Sequence, residues 1–279
     1  DDVFDFCIKA KVSAKSEKVY EFVSDSTHLR ADLPISNSQD EFNLWSCENP
    51  NLYDVTVELF SSKESLENGE KPIDSVKSYF GLREIAVKEV QGKNRLCLNE
   101  KPIFLHGVLD QGYFPEGIYL PESEDGFRAD IKNMQELGLN TLRKHIKIEP
   151  EVFYYECDKA GIFVMQDMVN NGSYNFLRDT ALPTVLSKKG RKKHLANKAP
   201  ANKKEEFFLR HSEETLEHLF NHPCVVYYTI FNEGWGQFKA NYAYDYLKAR
   251  DPSRIFDTAS GWFKNPESDV ESDHIYFKT

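Results

Sequence analysis

Over roughly the first 90 positions, apolar and polar residues alternate in short runs. The segment LYDVTVELF sets Tyr53, Val55, Val57 and Leu59 against Asp54, Thr56 and Glu58, the period-two pattern of a half-buried strand. VYEFV and FGLREIAVKEV read the same way, and SDSTHL, ISNSQD, NPN and ENGEKP supply turns between them. Short antiparallel strands at this spacing predict a β-sandwich domain over residues 1–90.

From about Gln91 the pattern becomes strand, loop, helix, repeated. PIFLHGVL, NTLRKHI, IFVMQDM, VVYYTIF, RIFDTAS and DHIYF read as successive strands. Between them lie helices: one capped by Ser123, with Phe127, Ile131, Met134 and Leu137 on one face and Gly138 at its end; PEVFYYECDKAG; EEFFLRHSEETLEHLFNHP, with Leu209, Leu216 and Leu219 on one side; and QFKANYAYDYLKAR. Alternating strands and helices predict parallel βα units, and an unbroken run such as VVYYTIF suits a strand covered on both faces. A (β/α)8 barrel competes here with an open doubly wound sheet. GVLDQGYFPEG is not a Gly-rich phosphate loop, while Asp110, His145, Asp167, Asn232 with Glu233, Asp257 and His274 stand at the ends of successive strands. Such a ring is the expected face of a barrel, which is therefore favoured over residues 91–279.

Composition narrows the class. The 279 residues are 40% hydrophobic and 29% charged, with a net charge of -10, which argues against nucleic acid or an anionic membrane as partner. No stretch approaches 18 apolar residues, and the start lacks the regions of a signal peptide. The five cysteines have neither metal nor disulfide spacing, so structural thiols and a cytoplasmic location are expected; a cleaved, exported chain would read alike. Residues 188–204 carry eight Lys or Arg and no acid; a solvated surface insertion is favoured over a polyanion-binding loop.

Glu233 is the leading chemical candidate. A carboxylate following an apolar strand stands at the edge of a dry core, where desolvation raises its pKa towards that of a general acid working near neutrality. Asn232 can bind a hydroxyl, Trp235 offers a wall, and Arg143 can clamp a carboxylate. His145, Asp110, Asp167 and His274 are further candidates for hydroxyl binding, each with a packing or ion-pair role as the alternative; Tyr113 and Trp262 offer stacking. No metal or other cofactor is expected: HExxH, paired cysteines and a Gly-x-Ser-x-Gly elbow are all missing.

LWSCENPNLYDVTVEL, FGLREIAV, FLHGVLDQGYFPEG, NTLRKHIKIEPEVFYYECDKAGIFVMQDM and YYTIFNEGWGQF occur in an order that resembles the family-two glycoside hydrolases, which include β-galactosidases, β-glucuronidases and β-mannosidases. The resemblance covers the chain from about Trp45 onward. It implies an immunoglobulin-like sandwich followed by a (β/α)8 barrel, with retaining, exo-acting hydrolysis of β-glycosides and, in some members, assembly into homo-oligomers. It maps the acid/base pair to Asn232 and Glu233, the family's arginine block to Arg143, and an acidic position to Asp167.

The residues ahead of the sandwich are too few for the family's usual jelly-roll domain, so none is expected among these 279, and His106-Gly107 stands where Arg-Gly is usual. The family's nucleophile is a second Glu after the seventh strand. From Pro102 only 178 residues remain, against about 250 for a whole barrel. The expectation is therefore a barrel truncated after about six strands and inactive alone, since retention needs two carboxyls about 5–5.5 Å apart. A β-galactosidase is ranked slightly ahead of a β-glucuronidase; a non-catalytic carbohydrate-binding protein is the rival from another class.

Overall fold

A computed structural model describes residues 6–14, 17–24, 43–170, 175–177, 181, 199–233, 236–261 and 265–275. The chain falls into two compact units, one of residues 1–45 with 49–82, the other of 46–48 with 83–279.

In the first unit the alternating segments form strands β1 (Cys7–Ala14), β2 (Glu17–Ser24), β3 (Tyr53–Phe60) and β4 (Asp74–Phe80). They make one antiparallel sheet in the order β2-β1-β3-β4. Cys7, Val12, Tyr53 and Phe60 are buried, and the Tyr53 ring stacks on Phe80 at 5.1 Å. Among the described residues this unit holds that single sheet. SSKESLENG adds a short helix α1 (Lys63–Glu67), begun by a reciprocal capping box between Ser62 and Ser65, just ahead of the turn expected at ENGEKP.

The second unit begins at Arg83, so IAVKEV belongs to it as strand β5 (Ile85–Val90) and not to the preceding sheet. It pairs antiparallel with β6 (Lys93–Leu98), which pairs with β7 (Lys101–Pro102). PIFLHGVL, expected as one strand, is split: Pro102 ends β7, and the next strand, β8, is Gly107–Asp110. The parallel set continues with β9 (Thr141–Lys144), β10 (Phe163–Asp167), β11 (Val225–Asn232) and β12 (Ile255–Ser260).

These five strands neighbour one another in chain order, β8 to β12. A doubly wound sheet reverses its order at a switch point; this one runs in a single direction, as a barrel wall does. The intervening helices are α2 (Glu124–Glu136), α3 (Glu151–Ala160), α4 (Lys203–Leu219) and α5 (Ala240–Lys248). Burial deepens across the sheet: β8 is mostly exposed, whereas all of β12 and Val225–Phe231 of β11 are buried.

Two helix details differ from expectation. Leu137 is 71% exposed, because the buried face of α2 rests on Phe127 and Ile131. Ser123 is the N-cap, but its side chain makes no capping bond. DHIYF shows only an isolated parallel bridge between Gly261 and Asp273; Tyr276 and Phe277 lie outside the described residues.

The entry ends of the strands are pinned without functional groups. Arg254 donates from Nε to the carbonyl of Val225 (2.7 Å) and from Nη2 to those of Phe220 (2.6 Å) and His222 (3.0 Å). Four of the five free cysteines are buried, and burial beside Glu48 pushes the thiol of Cys47 up to about 12. No described helix is long and apolar enough to cross a membrane.

Candidate active site

The exit ends of β9 to β12 bring polar side chains together. Side chains alternate across a strand, so in TLRK the guanidinium of Arg143 and the ammonium of Lys144 go to opposite faces. Arg143 joins three neighbours: Nε donates to Asp167 Oδ1 (3.0 Å), Nη2 donates to Asn232 Oδ1 (2.8 Å), and Nη1 lies 3.4 Å from His274 Nε2. Asp167 is 1% exposed and also accepts from His145 Nδ1 at 2.8 Å. A buried carboxylate needs such partners, and the Arg143 guanidinium with the His145 ring just beyond β9 supplies them.

Asn232 ends β11 and Glu233 follows it. With Asn232 Oδ1 occupied by Arg143, the amide nitrogen is the end available to an outside acceptor. Glu233 adopts a left-handed backbone, φ +52, which a residue with a Cβ holds only where its surroundings compel it. Its N–H donates to the carbonyl of Ser260 at 2.9 Å, and its Oε1 lies 3.0 Å from His274 Nδ1. Ser260 Oγ is 2.8 Å from His274 Nε2. Arg143, His145, Asp167, Asn232, Glu233 and His274 are therefore one connected network.

Asp110 is not part of it. Strand register pairs Asp110 with Lys144 and Leu109 with Arg143, so Asp110 shares the face of Lys144. Its Oδ2 accepts from Lys144 Nζ (2.9 Å) and its Oδ1 from the Gly112 amide (2.7 Å). Tyr113 is exposed and packs edge-on against Tyr119. Trp235, Trp262 and residues 188–198 of the basic stretch lie outside the described residues; Lys203 and Lys204 open α4, capped by Asn202.

Sequence reading missed the supporting shell. Asp257, placed at a strand end, sits in the third position of β12, where Tyr227 donates to its Oδ2 at 2.9 Å and Ser272 at 2.5 Å. Burial pushes the Asp257 carboxyl above its ordinary range, opposed by those two hydrogen bonds and by Arg143. Burial also lifts the Tyr227 hydroxyl, with Asp257 adding to the shift. A carboxyl with a raised folded pKa binds its proton more tightly when native, so its contribution to stability is full below the unfolded value, about 3.9, and declines as pH rises through the folded one. The stability of wild type minus that of Asp257→Asn, from urea unfolding, is expected to fall as pH rises from about 4. A constant or rising difference would contradict the raised value.

Residues 88–278 match the family model described as glycosyl hydrolases family 2, TIM barrel domain, and residues 4–83 match the model described as glycosyl hydrolases family 2. The β-galactosidase of Leuconostoc mesenteroides subsp. mesenteroides is 24% identical over 247 residues, covering 86% of this chain and 20% of that protein. The β-galactosidase large subunit of Latilactobacillus sakei is 26% identical over 234 residues, covering 82% and 34%. Among solved structures, a Parabacteroides merdae β-glucuronidase with glycerol in its active site is similar with a TM-score of 0.73 at 18% identity, covering 99% of this chain and 32% of that one. The chain thus spans about a fifth to a third of the length of these relatives. Model and fold together identify the parallel sheet as belonging to a TIM barrel domain that follows a β domain.

Proposed function

The chain belongs to family 2 of the glycosyl hydrolases, and from that membership we propose that the complete protein is a retaining exo-β-glycosidase with Glu233 as its general acid and base. The observation that carries this reading is the strained, half-buried Glu233 at the exit of the fourth parallel strand, beside an asparagine oriented by Arg143.

In the first step Glu233 gives its proton to the glycosidic oxygen as a nucleophilic carboxylate attacks the anomeric carbon and the aglycone leaves. In the second, Glu233 takes a proton from water as the water oxygen attacks that carbon and releases the carboxylate. By the family resemblance, the nucleophile is a Glu after a seventh barrel strand. The amide nitrogen of Asn232 donates to the hydroxyl beside the anomeric carbon, and Arg143 holds Asn232 through its Oδ1. Asp167 and His145 orient Arg143. In this reading the first unit, residues 1–45 with 49–82, is the immunoglobulin-like domain, and the barrel belongs to the second.

A terminal β-galactoside is the proposed substrate; relatives bearing that name support it. The test is a panel of nitrophenyl β-glycosides, galactoside and glucuronide included, offered to the complete enzyme while NMR follows the anomer first released. Hydrolysis of the galactoside with retention is expected. Preference for the glucuronide would move the substrate while keeping the chemistry. An inverted product, or none from any glycoside, would overturn the proposal, the latter in favour of a carbohydrate-binding role.

A further inference from the structure

Resting on the reading of Glu233 as acid and base, we infer that His274 is the positioning residue for Glu233 and not a contact for the sugar. Both of its ring nitrogens are engaged by the protein. Nδ1 lies 3.0 Å from Glu233 Oε1, and Nε2 faces Ser260 Oγ at 2.8 Å and Arg143 Nη1 at 3.4 Å.

Those neighbours select the tautomer. A guanidinium has only N–H groups to offer, so the ring nitrogen turned towards Arg143 presents its lone pair. Ser260 can donate to that same lone pair. The ring proton then sits on Nδ1 and points at Glu233 Oε1.

The ring is also held in place from below. Gly261 has φ +83 and lies flat against the imidazole; a Cβ there would come within 2.4 to 2.7 Å of His274 ring atoms, closer than any packed carbon sits. Gly261 pairs with Asp273 in a parallel bridge, which fixes the backbone next to His274. The end of β12 therefore builds a seat: Ser260 sets the rotation of the ring, Gly261 its depth, and the bridge its height along the strand.

The consequence for Glu233 is a division of its two oxygens. Oε1 accepts from Nδ1, and Oε2, which has no hydrogen-bond partner among the described residues, carries the proton that is given and retrieved. The other charged groups in this network are Arg143 from β9, Asp167 from β10 and Asp257 from β12, with His145 hydrogen-bonded to Asp167 and so separated from Glu233 by Asp167, Arg143 and His274. His274 is the donor among them that reaches Glu233.

The test compares His274→Ala, His274→Asn, His274→Gln and Gly261→Ala in the complete enzyme, with kcat and KM measured across pH beside Glu233→Gln. Removing one charge-assisted hydrogen bond in His274→Ala is expected to lower kcat about 10- to 100-fold, with little change in KM. The alkaline limb of kcat/KM, where the protonated acid is lost, should move to higher pH, since the carboxylate has lost its donor. Asn, whose side-chain nitrogen falls where Nδ1 sits, should restore most of the rate and return the limb; Gln, which reaches towards the Nε2 position, should not. Gly261→Ala, which unseats the ring, should resemble His274→Ala. Should the alanine variant fail to fold, the Asn and Gln pair carries the same comparison. A raised KM with an unmoved limb, beside a Glu233→Gln variant that is inactive, would overturn the positioning role alone. Wild-type activity of Glu233→Gln would overturn the acid/base reading and this inference with it.

Discussion

Glu233→Gln is expected to lower kcat on alkyl β-glycosides by about 10² to 10⁴, the range for a positioned general acid and base. The amide is nearly the same size as the carboxyl, so packing, the left-handed backbone and the bond from the Glu233 amide to Ser260 stay as they are. What is lost is the proton on Oε2. An alkoxide leaving group needs that proton to depart, whereas a dinitrophenolate does not, so the loss should shrink on the activated glycoside for the first step. The variant then lacks a base for the second step and should accumulate the glycosyl-enzyme, visible as a burst of dinitrophenol. Equal losses on both substrates without a burst would show that Glu233 holds the sugar in place and transfers no proton.

The parts legible in the sequence were those carried by periodicity and by position in the βα repeat. VVYYTIFN announced a strand covered on both faces, and β11 is buried along seven of its eight residues. The position of Glu233 at the strand's exit followed from the same run. Facing direction was not legible: Asp110 stands at a strand end as Asp167 does, yet register turns it to Lys144 on the opposite face. A one-residue step reverses the side on which a residue lies, and short strands of four residues carry too little alternation to show it. The seat of His274 was invisible for another reason. It depends on Gly261 and Ser260, fourteen positions or fewer from the ring but brought to it by a bridge outside any strand and one side-chain hydrogen bond. Likewise FGLREIAVKEV gave no sign that β4 and β5 lie in different units, because both halves have the same composition and only pairing partners separate them.

Glu149→Gln should produce the largest loss of stability of any single change near the site. RKHIKIEP sends Arg143 and His145 to the site, while Lys144, Lys147 and Glu149 gather in the interior, exposed by 1%, 4% and 0%. Glu149 Oε1 forms ion pairs with Lys144 and, at 2.9 Å, with Lys147; neither carboxylate oxygen has an aligned hydrogen bond, so the contact is one of charge more than of direction. Lys144 also pairs with Asp110, and Lys147 donates to the carbonyls of Gly112 and Tyr119. Two buried ammonium groups thus balance two carboxylates. The glutamine keeps the volume and removes one negative charge, leaving two buried cations to share Asp110. Breaking a buried pair in this way costs about 3–5 kcal/mol, roughly 10 °C or more in Tm for a unit of this size. Gly112 leaves room for the carboxylate, since with φ +67 a Cβ there would lie 2.1 Å from Glu149 Oε1. If uncompensated charge is the cause, adding Lys147→Met to Glu149→Gln should recover much of the loss, because an apolar replacement of a whole buried pair is close to neutral. A double variant that melts lower than Glu149→Gln would mean instead that Lys147 earns its place by tying the loop of Gly112 and Tyr119 to the barrel wall.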